Sequence, residues 1–351
     1  MAIDFTLTIT DFDQQQFDSL DRRAGFASSY SRLRQKELDP RWLSRYLGWF
    51  DGHLLRAAIP VYRPRMKSWP DPAYDPRSWN LPDGAGDECS PGASLMVGGC
   101  GDRRTGLHAD AEARTPGRLR RLLVELAGVA AEEDRCLVFP YMYTPAKEAL
   151  AAAAEDRIAW AGLGREAHVF GLSDPQWESR LPSKVRNTLR RDQRKIATVP
   201  MTVGEASWGE VHSWAAELIS SHMAGKGHQE ISEFVSLRYS DLESDPDVGL
   251  MAFTAESAGL RGVQTILLWQ GEMEVYEVGL TGDDSDERFA LYVNLLFHLP
   301  FQYAQARGID HIRLGSMAET PKAARGAVFE DYYGGVLSLD ETKRLARGSK
   351  D

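Results

Sequence analysis

Residues 272–327 read EMEVYEVGL (272–280), TGDDSDERF (281–289), ALYVNLLFHLPFQYAQARG (290–308), IDHIRLGS (309–316) and MAETPKAARGA (317–327). Val275, Val278 and Leu280 mix with Tyr276 and Glu277 in a short β-type run. Leu291, Leu295, Leu296 and Leu299 fall at helical spacing, and Gly308 stands where a helix ends in a residue of positive φ. Ile312 and Leu314 start a second strand. A strand–helix–strand unit of this size predicts two neighbouring parallel strands. Their C-terminal ends and the start of the helix then face one crevice. On that reading Glu277, Ser316 and Lys322 lie near one another.

The chain has 351 residues, enough for two cores of about 170 residues. Its hydrophobic content of 43% and charged content of 26% are those of a globular protein. No apolar run approaches the roughly 18 residues of a membrane span. The opening MAIDFTLTITDFD lacks the basic and apolar segments of a signal peptide. Three cysteines (Cys89, Cys100, Cys136), with no CxxC or Cys/His cluster, fit a reducing cytoplasm and argue against zinc or a disulfide framework. A net charge of −10 opposes wholesale wrapping of nucleic acid but leaves room for a local basic patch.

Working outward, IDFTLTIT reads as a strand, QQFDSLDRRA and SSYSRLRQKEL as helices, and RYLGWFDG with HLLRAAIPVYRPR as a hairpin about Asp51-Gly52. Residues 66–92 form a long loop. Strands 94–100 and 136–143 flank a helix with Thr115 as N-cap and Pro116 at its first turn. The same order recurs at 274–281 and 311–316, as a duplicated domain would give. AWAGLGREAHVFGLS (159–173) reads as two short strands, Ser173-Asp174-Pro175 as the seam, and 183–198 as an Arg-rich linker helix. VGLMAFTAES, GVQTILLWQ and MEVYEVGL form an antiparallel meander. FEDYYGGVLSL closes the second sheet, and the tail from Asp340 is polar and frayed.

The motif order vYe.g, acidic loop, a.Y.nllf, A..rGi, i.lGs, e..K...Ga over 183–335 resembles the Fem-type branch of the GNAT superfamily, and 1–175 resembles it in outline. The resemblance implies an α/β (α+β) fold with two GNAT-like domains in tandem, 1–175 and 176–351, each a mixed, mostly antiparallel sheet flanked by helices. It implies transfer of an aminoacyl or acyl group to an amine, with no metal and no tightly bound cofactor. Lys322 in TPKAARGA matches the family's lysine position, where a cation offsets charge on the reacting carbonyl or binds a donor phosphate. The plainer reading is a solvated lysine beside Arg325.

Glu277, mid-strand between apolar neighbours, is either a proton acceptor for the attacking ammonium or a carboxylate on a wet face. Asn294, His298 and Gln302 share one helix face and Tyr292 stands near its start, lining an acceptor pocket or facing solvent. Pro300 should kink the helix beside His298. With His298 as a third catalytic candidate, Tyr276, Tyr292, Asn294, Ser316 and Arg325 are the candidate substrate contacts. Coenzyme A enzymes of the superfamily carry a glycine-rich pyrophosphate loop at this helix. Here Asp283, Asp284, Asp286 and Glu287 stand instead, which disfavours coenzyme A unless they point away or simply complement the helix dipole.

The main basic patch repeats Arg186, Arg190 and Arg194 at i+4, flanked by Lys184, Arg191 and Lys195. Arg186, Arg190, Arg191 and Arg194 are the candidate donor-phosphate ligands, the alternative being a face paired to acidic surface. GGCGDRRTGLHAD (98–110) is neither a Walker loop nor a dinucleotide fingerprint. Cys100 has no base placed beside it, and FPYMY (139–143) stacks an acceptor ring or is core.

The leading expectation is therefore a cytoplasmic N-acyltransferase taking an aminoacyl group from aminoacyl-tRNA to a small or peptide amine. Natural-product biosynthesis suits a small soluble acceptor. The alternatives are an acyl-carrier-protein or coenzyme A thioester as donor, and a GNAT-like ligand-binding module without catalysis.

Overall fold

The computed structural model describes residues 2–21, 23–99, 102–225, 231–282 and 285–348. Contacts divide the chain into two compact units. Unit 1 is Met1–Gly164 together with Asp331–Asp351, and unit 2 is Arg165–Glu330.

Unit 1 opens with β1 (Ala2–Leu7), α1 (Gln14–Leu20) and α2 (Tyr30–Glu37). There follow β2 (Trp42–Asp51), β3 (Leu54–Pro64), β4 (Ser94–Val97), α3 (Pro116–Glu132), β5 (Cys136–Tyr143), α4 (Thr144–Ala153) and β6 (Ala159–Val169). The β2–β3 register runs through Asp51↔Leu54, a tight hairpin that Gly52 allows at φ 61°. Thr115 takes the N-cap position of α3, its hydroxyl donating to Glu112 O at 2.8 Å rather than capping a helix amide, and Pro116 opens the helix. Leu119, Leu122, Leu123, Leu126 and Ala130 recur at helical spacing and are buried with Leu137 and Phe139 of β5. β4 and β5 pair in parallel at Ser94↔Cys136 through Met96↔Val138, whereas β1–β2, β2–β3 and β3–β4 are antiparallel.

Past Met96 and Val138 these two parallel strands part, and the chain fills the gap itself. Thr105 bridges to Met142 and accepts its place through its amide donating to Tyr141 O, while Ala109 bridges to Ala57 of β3. A Cβ on Gly98 would lie 2.1 Å from the Thr105 methyl, so only glycine fits there. Asp102 anchors this segment: its carboxylate accepts from Arg32 at 2.6 and 3.0 Å and faces Lys36 at 3.7 Å. Burial alone would raise that carboxyl, but Arg32 and Lys36 outweigh it and hold it well below the usual range.

Unit 2 continues with α5 (Trp177–Arg180), α6 (Ser183–Thr198), β7 (Thr202–Ala206), α7 (Trp208–Ala224), α8 (Ser232–Glu243), β8 (Gly249–Ser257), β9 (Leu260–Trp269) and β10 (Glu272–Leu280). After β10 come α9 (Asp286–Val293), a π-turn at Asn294–His298, α10 (Leu299–Arg307), β11 (His311–Gly315) and α11 (Glu319–Ala323). Its strands run β6, β11, β10, β9, β8, β7, with one parallel pair, β10–β11, among the described residues. Instead of breaking at Pro300, the helix widens: Leu299 N–H reaches back five residues to Asn294 O. Proline has no N–H and its ring crowds the carbonyl four residues back, and the extra residue of a π-turn relieves both. Gly308 ends α10 at φ 67°, as expected.

One polar ring ties three strands of unit 2 together. Arg313 (β11) donates from Nε to Glu272 (β10) at 3.0 Å and from Nη1 to Glu166 (β6) at 3.1 Å. Glu272 faces His311 Nδ1 at 3.1 Å, and His311 Nε2 lies 3.0 Å from His168 Nδ1. His168 Nε2 closes the circle at 3.3 Å from Glu166, an ion-pair contact rather than an aligned hydrogen bond. These residues alternate with Ala167, Val169, Met273 and Ile312, which are buried in the core on the other face.

Several expectations need correction. The seam expected at 175/176 lies at 164/165, and 331–351 belong to unit 1. β12 (Val328–Leu337) pairs with β5 from Tyr332↔Tyr143 to Leu337↔Leu137, so it joins the sheet of unit 1. Residues 159–169 form one strand, not two, and it crosses the boundary. The tail is α12 (Leu339–Arg347), with Thr342 and Leu345 buried rather than frayed.

Replacing Arg313 by Met leaves the buried Glu166 and the half-buried Glu272 without their cation and should cost about 3 kcal/mol, read as a lower urea midpoint of the whole chain. Burial pushes the Glu272 carboxyl up, but His311 and Arg313 outweigh it and bring it from an ordinary 4.5 to about 2. A depressed carboxyl stabilises the fold above its unfolded value and loses that contribution as pH falls. The stability gap between wild type and Glu272→Gln should therefore shrink steadily between pH 4.5 and about 2.

Candidate functional site

β10 and β11 pair only at Glu272↔His311, Met273↔Ile312 and Glu274↔Arg313. β10 runs on to Leu280, and among the described residues its Val275–Leu280 segment has no ladder partner on the β11 side. The splay coincides with a bulge, since Val275 pairs with Ile266 and Val278 with Gln264. Tyr276 and Glu277 thus oppose the single residue Thr265. The extra residue turns the Glu277 side chain towards α8. There Arg238 Nη2 donates to both carboxylate oxygens at 2.8 Å and the Tyr239 hydroxyl donates at 2.5 Å. Thr265 Oγ1 accepts from Glu277 N at 3.0 Å and donates to Glu277 O at 3.1 Å, and Gln264 Nε2 donates to the same carbonyl at 3.0 Å. Burial, then the Glu277 charge, raise the Tyr239 phenol well above its ordinary value, so it stays a donor. Tyr276 lies edge-on to Tyr239 at 6.0 Å.

Lys322 is buried, not solvated. Its Nζ donates to Gly315 O at 2.9 Å and Ser316 O at 2.8 Å. This clamp holds a turn in which Gly315, Met317 and Ala318 all have positive φ. Both peptides are trans, so the N–H groups of Ser316 and Met317 point away from the ammonium. Ser316 and Lys322 therefore meet as expected. Glu277 meets Arg238 and Tyr239 instead.

Arg325 is also buried: it donates from Nε to Asp192 of α6 at 2.7 Å and from Nη1 to Pro321 O at 2.9 Å, and it lies 4.6 Å over the Phe297 ring. His298 Nε2 is 4.0 Å from the same Asp192. Burial lowers the His298 imidazole, Asp192 raises it in part, and Arg325 lowers it further. Asn294 is buried with its amide donating to Met201 Sδ at 3.2 Å. The π-turn puts Asn294 and His298 inside, while Gln302 is exposed.

The cations of α6 divide. Arg186 is spent on the carbonyls of Ser179 and Leu181, and Arg190 faces Glu178 at 3.9 Å. Arg191 and Arg194 are exposed, Arg194 leaning its Nε on Arg190 O at 3.3 Å. Lys195 pairs with Asp286 of α9 at 2.5 Å. Beside that pair, Ser285, Asp286, Arg288, Phe289 and Tyr292 line a groove of about 500 Å³. Asp283, Asp284 and Cys100 lie outside the described residues. Among the described residues no His/Cys/Asp/Glu group is set to hold a metal, and no helix is long and apolar enough to cross a membrane.

The reading from sequence missed Arg238, Tyr239 and Asp192. Asp192 was visible as the lone acid of a basic helix, and its i±3 and i±4 neighbours Leu189 and Ile196 mark that face as inward. Arg238 and Tyr239 carried no local signal, because the bulge that brings Glu277 to them is a feature of strand pairing.

Asp192→Asn removes the charge opposite the buried Arg325 and should lower stability by about 3 kcal/mol. Lys322→Met leaves two carbonyls without a donor and should cost about 1–3 kcal/mol. Thermal unfolding of both variants checks this, and a Lys322→Met melting temperature equal to wild type would show the clamp to be dispensable.

No protein-family model matches this chain, and no curated protein does. Solved structures match along its whole length. FemX matches with a TM-score of 0.63 at 10% identity, over 99% of this chain and 99% of that one. A tandem GNAT protein from the clavulanic acid biosynthesis pathway matches at 0.54 and 13% identity, over 96% and 99%. The C-terminal domain of a putative lysylphosphatidylglycerol synthetase from Agrobacterium fabrum matches at 0.53 and 11% identity, over 97% and 96%. The strand order, the parallel pairs β4–β5 and β10–β11 and these likenesses agree: the chain has the Fem-like, tandem-GNAT fold.

Proposed function

We propose that this protein is an N-acyltransferase that moves an aminoacyl group from aminoacyl-tRNA to the amine of a small or peptide acceptor, with the chemistry in unit 2. The observation that supports this reading is the contrast between the two parallel strand pairs. In unit 1 the gap beyond β4 and β5 is filled by Thr105–Asp110, while in unit 2 the β10 edge beyond Glu274 is unpartnered among the described residues. An extended acyl donor adds to such an edge by main-chain hydrogen bonds.

The acceptor nitrogen attacks the donor ester carbonyl, the C–N bond forms, and the ester C–O bond breaks to release the ribose hydroxyl, which takes a proton. Glu277 receives the proton lost by the nitrogen. Arg238 and Tyr239 fix its two oxygens before the amine arrives. Lys322 acts through the turn it clamps, aiming the Ser316 and Met317 amides at developing oxyanion charge. Proximity supplies much of the rest, since both reactants are held together.

Incubating the full chain with a charged tRNA pool and a panel of amines should give an amide product that ribonuclease pretreatment abolishes. Product that survives ribonuclease and needs coenzyme A or a carrier-protein thioester would replace the donor, and no product with any donor would sink the reading. Glu277→Gln should lower turnover about 10²–10⁴-fold, measured at a temperature where its melting curve shows the variant folded.

A further inference from the structure

Two thiols of unit 1 meet where acyl transfer has no use for them. Cys89 ends the long 66–92 loop, Cys136 is the first residue of β5, and both are buried. Their sulfurs stand 2.9 Å apart. Nonbonded heavy atoms pack at roughly 3.5–4.0 Å and a disulfide bond is about 2.0 Å long, so this pair is closer than packing alone brings two buried cysteines. Both sides are held. Cys89 N–H donates to Gly86 O at 3.0 Å, closing a turn of the loop. Cys136 is set by its pairing with Ser94, whose hydroxyl oxygen lies 3.4 Å from the Cys136 sulfur and donates to Ser90 O at 2.8 Å. The loop itself lies over β5: the Tyr141 hydroxyl donates to Ala73 O at 2.8 Å, and Trp79 Nε1 donates to the same carbonyl at 3.0 Å. The two thiols are also unequal. A hydrogen bond from Cys89 holds the Cys136 thiol below its ordinary value against the opposing effect of burial, while that bond and burial push the Cys89 thiol up. Cys136 is therefore the sulfur that supplies a thiolate, the nucleophilic form, and Cys89 the one that keeps its proton.

We propose that Cys89 and Cys136 are a redox pair, closed by a peroxide into a disulfide that fastens the end of the 66–92 loop to β5. The Cys136 thiolate attacks one peroxide oxygen, the O–O bond breaks, and the departing hydroxide takes the proton that Cys136 gave up. The Cys89 sulfur then attacks the sulfenic acid on Cys136. The S–S bond forms, the S–O bond breaks, and a second water leaves with the Cys89 proton. The two sulfurs lose two electrons and the peroxide gains them. Burial selects the oxidant, since a small peroxide reaches sulfurs that a protein disulfide does not. A thiol reductant reverses the step. The pair lies wholly in unit 1, so its chemistry is independent of the acyl transfer assigned to unit 2.

The full chain is treated with hydrogen peroxide, freed of it, denatured in iodoacetamide and mapped by peptide mass spectrometry. The expected product is Cys89 joined to Cys136, lighter by two hydrogens than the two thiol peptides and released by dithiothreitol. With dimedone present during oxidation, Cys89→Ser should trap a sulfenic acid on Cys136, and Cys136→Ser should trap about tenfold less on Cys89. Oxidised wild type should melt about 5–10 °C above the reduced protein, because the link closes a long loop in the unfolded chain, and Cys89→Ser should show no such gap. Free thiols at both positions, at a peroxide dose that already turns methionine into its sulfoxide, overturn the proposal. Pairing of either cysteine with Cys100, or conversion of both to sulfinic acid, overturns it equally. A link that leaves the melting temperature unchanged overturns the fastening of the loop. The mapping needs only wild type, so the pairing is decided even where a serine variant fails to fold.

Discussion

The closed ring of Arg313, Glu272, His311, His168 and Glu166 is the constraint on which unit 2 depends. Two carboxylates, one guanidinium and two imidazoles come from three strands, and each member touches two others. Removing one member exposes its neighbours to the full desolvation cost of buried charge, so the ring fixes register as well as attraction. β6 enters unit 2 only with its last residues, 165–169, and so has few backbone bonds with which to hold its place. The ring supplies side-chain bonds at the point where β10 and β11 are still paired, just before they part.

That parting sets the two units apart in structure. Each has a helix-connected parallel pair that opens after three paired positions. In unit 1 the opening is closed by a segment whose carboxylate, Asp102, is locked by Arg32 and Lys36, and whose Thr105 fits only against a glycine. In unit 2 a bulge sits at the opening and turns Glu277 to Arg238 and Tyr239. The same supersecondary order thus gives one filled gap and, among the described residues, one edge without a ladder partner.

Charge placement follows a similar economy. Lys322 and Arg325, close in sequence, are both buried and both spent on structure-holding partners, Lys322 on a turn and Arg325 on Asp192. Through Asp192, the basic helix α6 is held inward by its one acid while Lys184, Arg190, Arg191 and Arg194 face out. An acidic chain thereby carries a local cationic stripe on a rigid support.

Much of this was legible beforehand. Alternation in 272–280 and 309–316, the leucine period between them and Gly308 dictate a strand–helix–strand unit with parallel strands, because side-chain periodicity and positive φ are local properties. Duplication of that order gave the tandem fold. What tertiary structure alone decided is pairing and partnership. β12 and β6 read as strands, but which sheet each joins is set by contacts more than a hundred residues away in sequence. Glu277 reads as an odd carboxylate, but a bulge in the ladder gives it Arg238. Glu166, His168, Glu272, His311 and Arg313 alternate with apolar neighbours in three separate stretches, and only folding turns three polar faces into one ring. Local sequence sets conformation through sterics and periodicity, whereas long-range electrostatic partners are chosen by geometry that exists only once the strands have met.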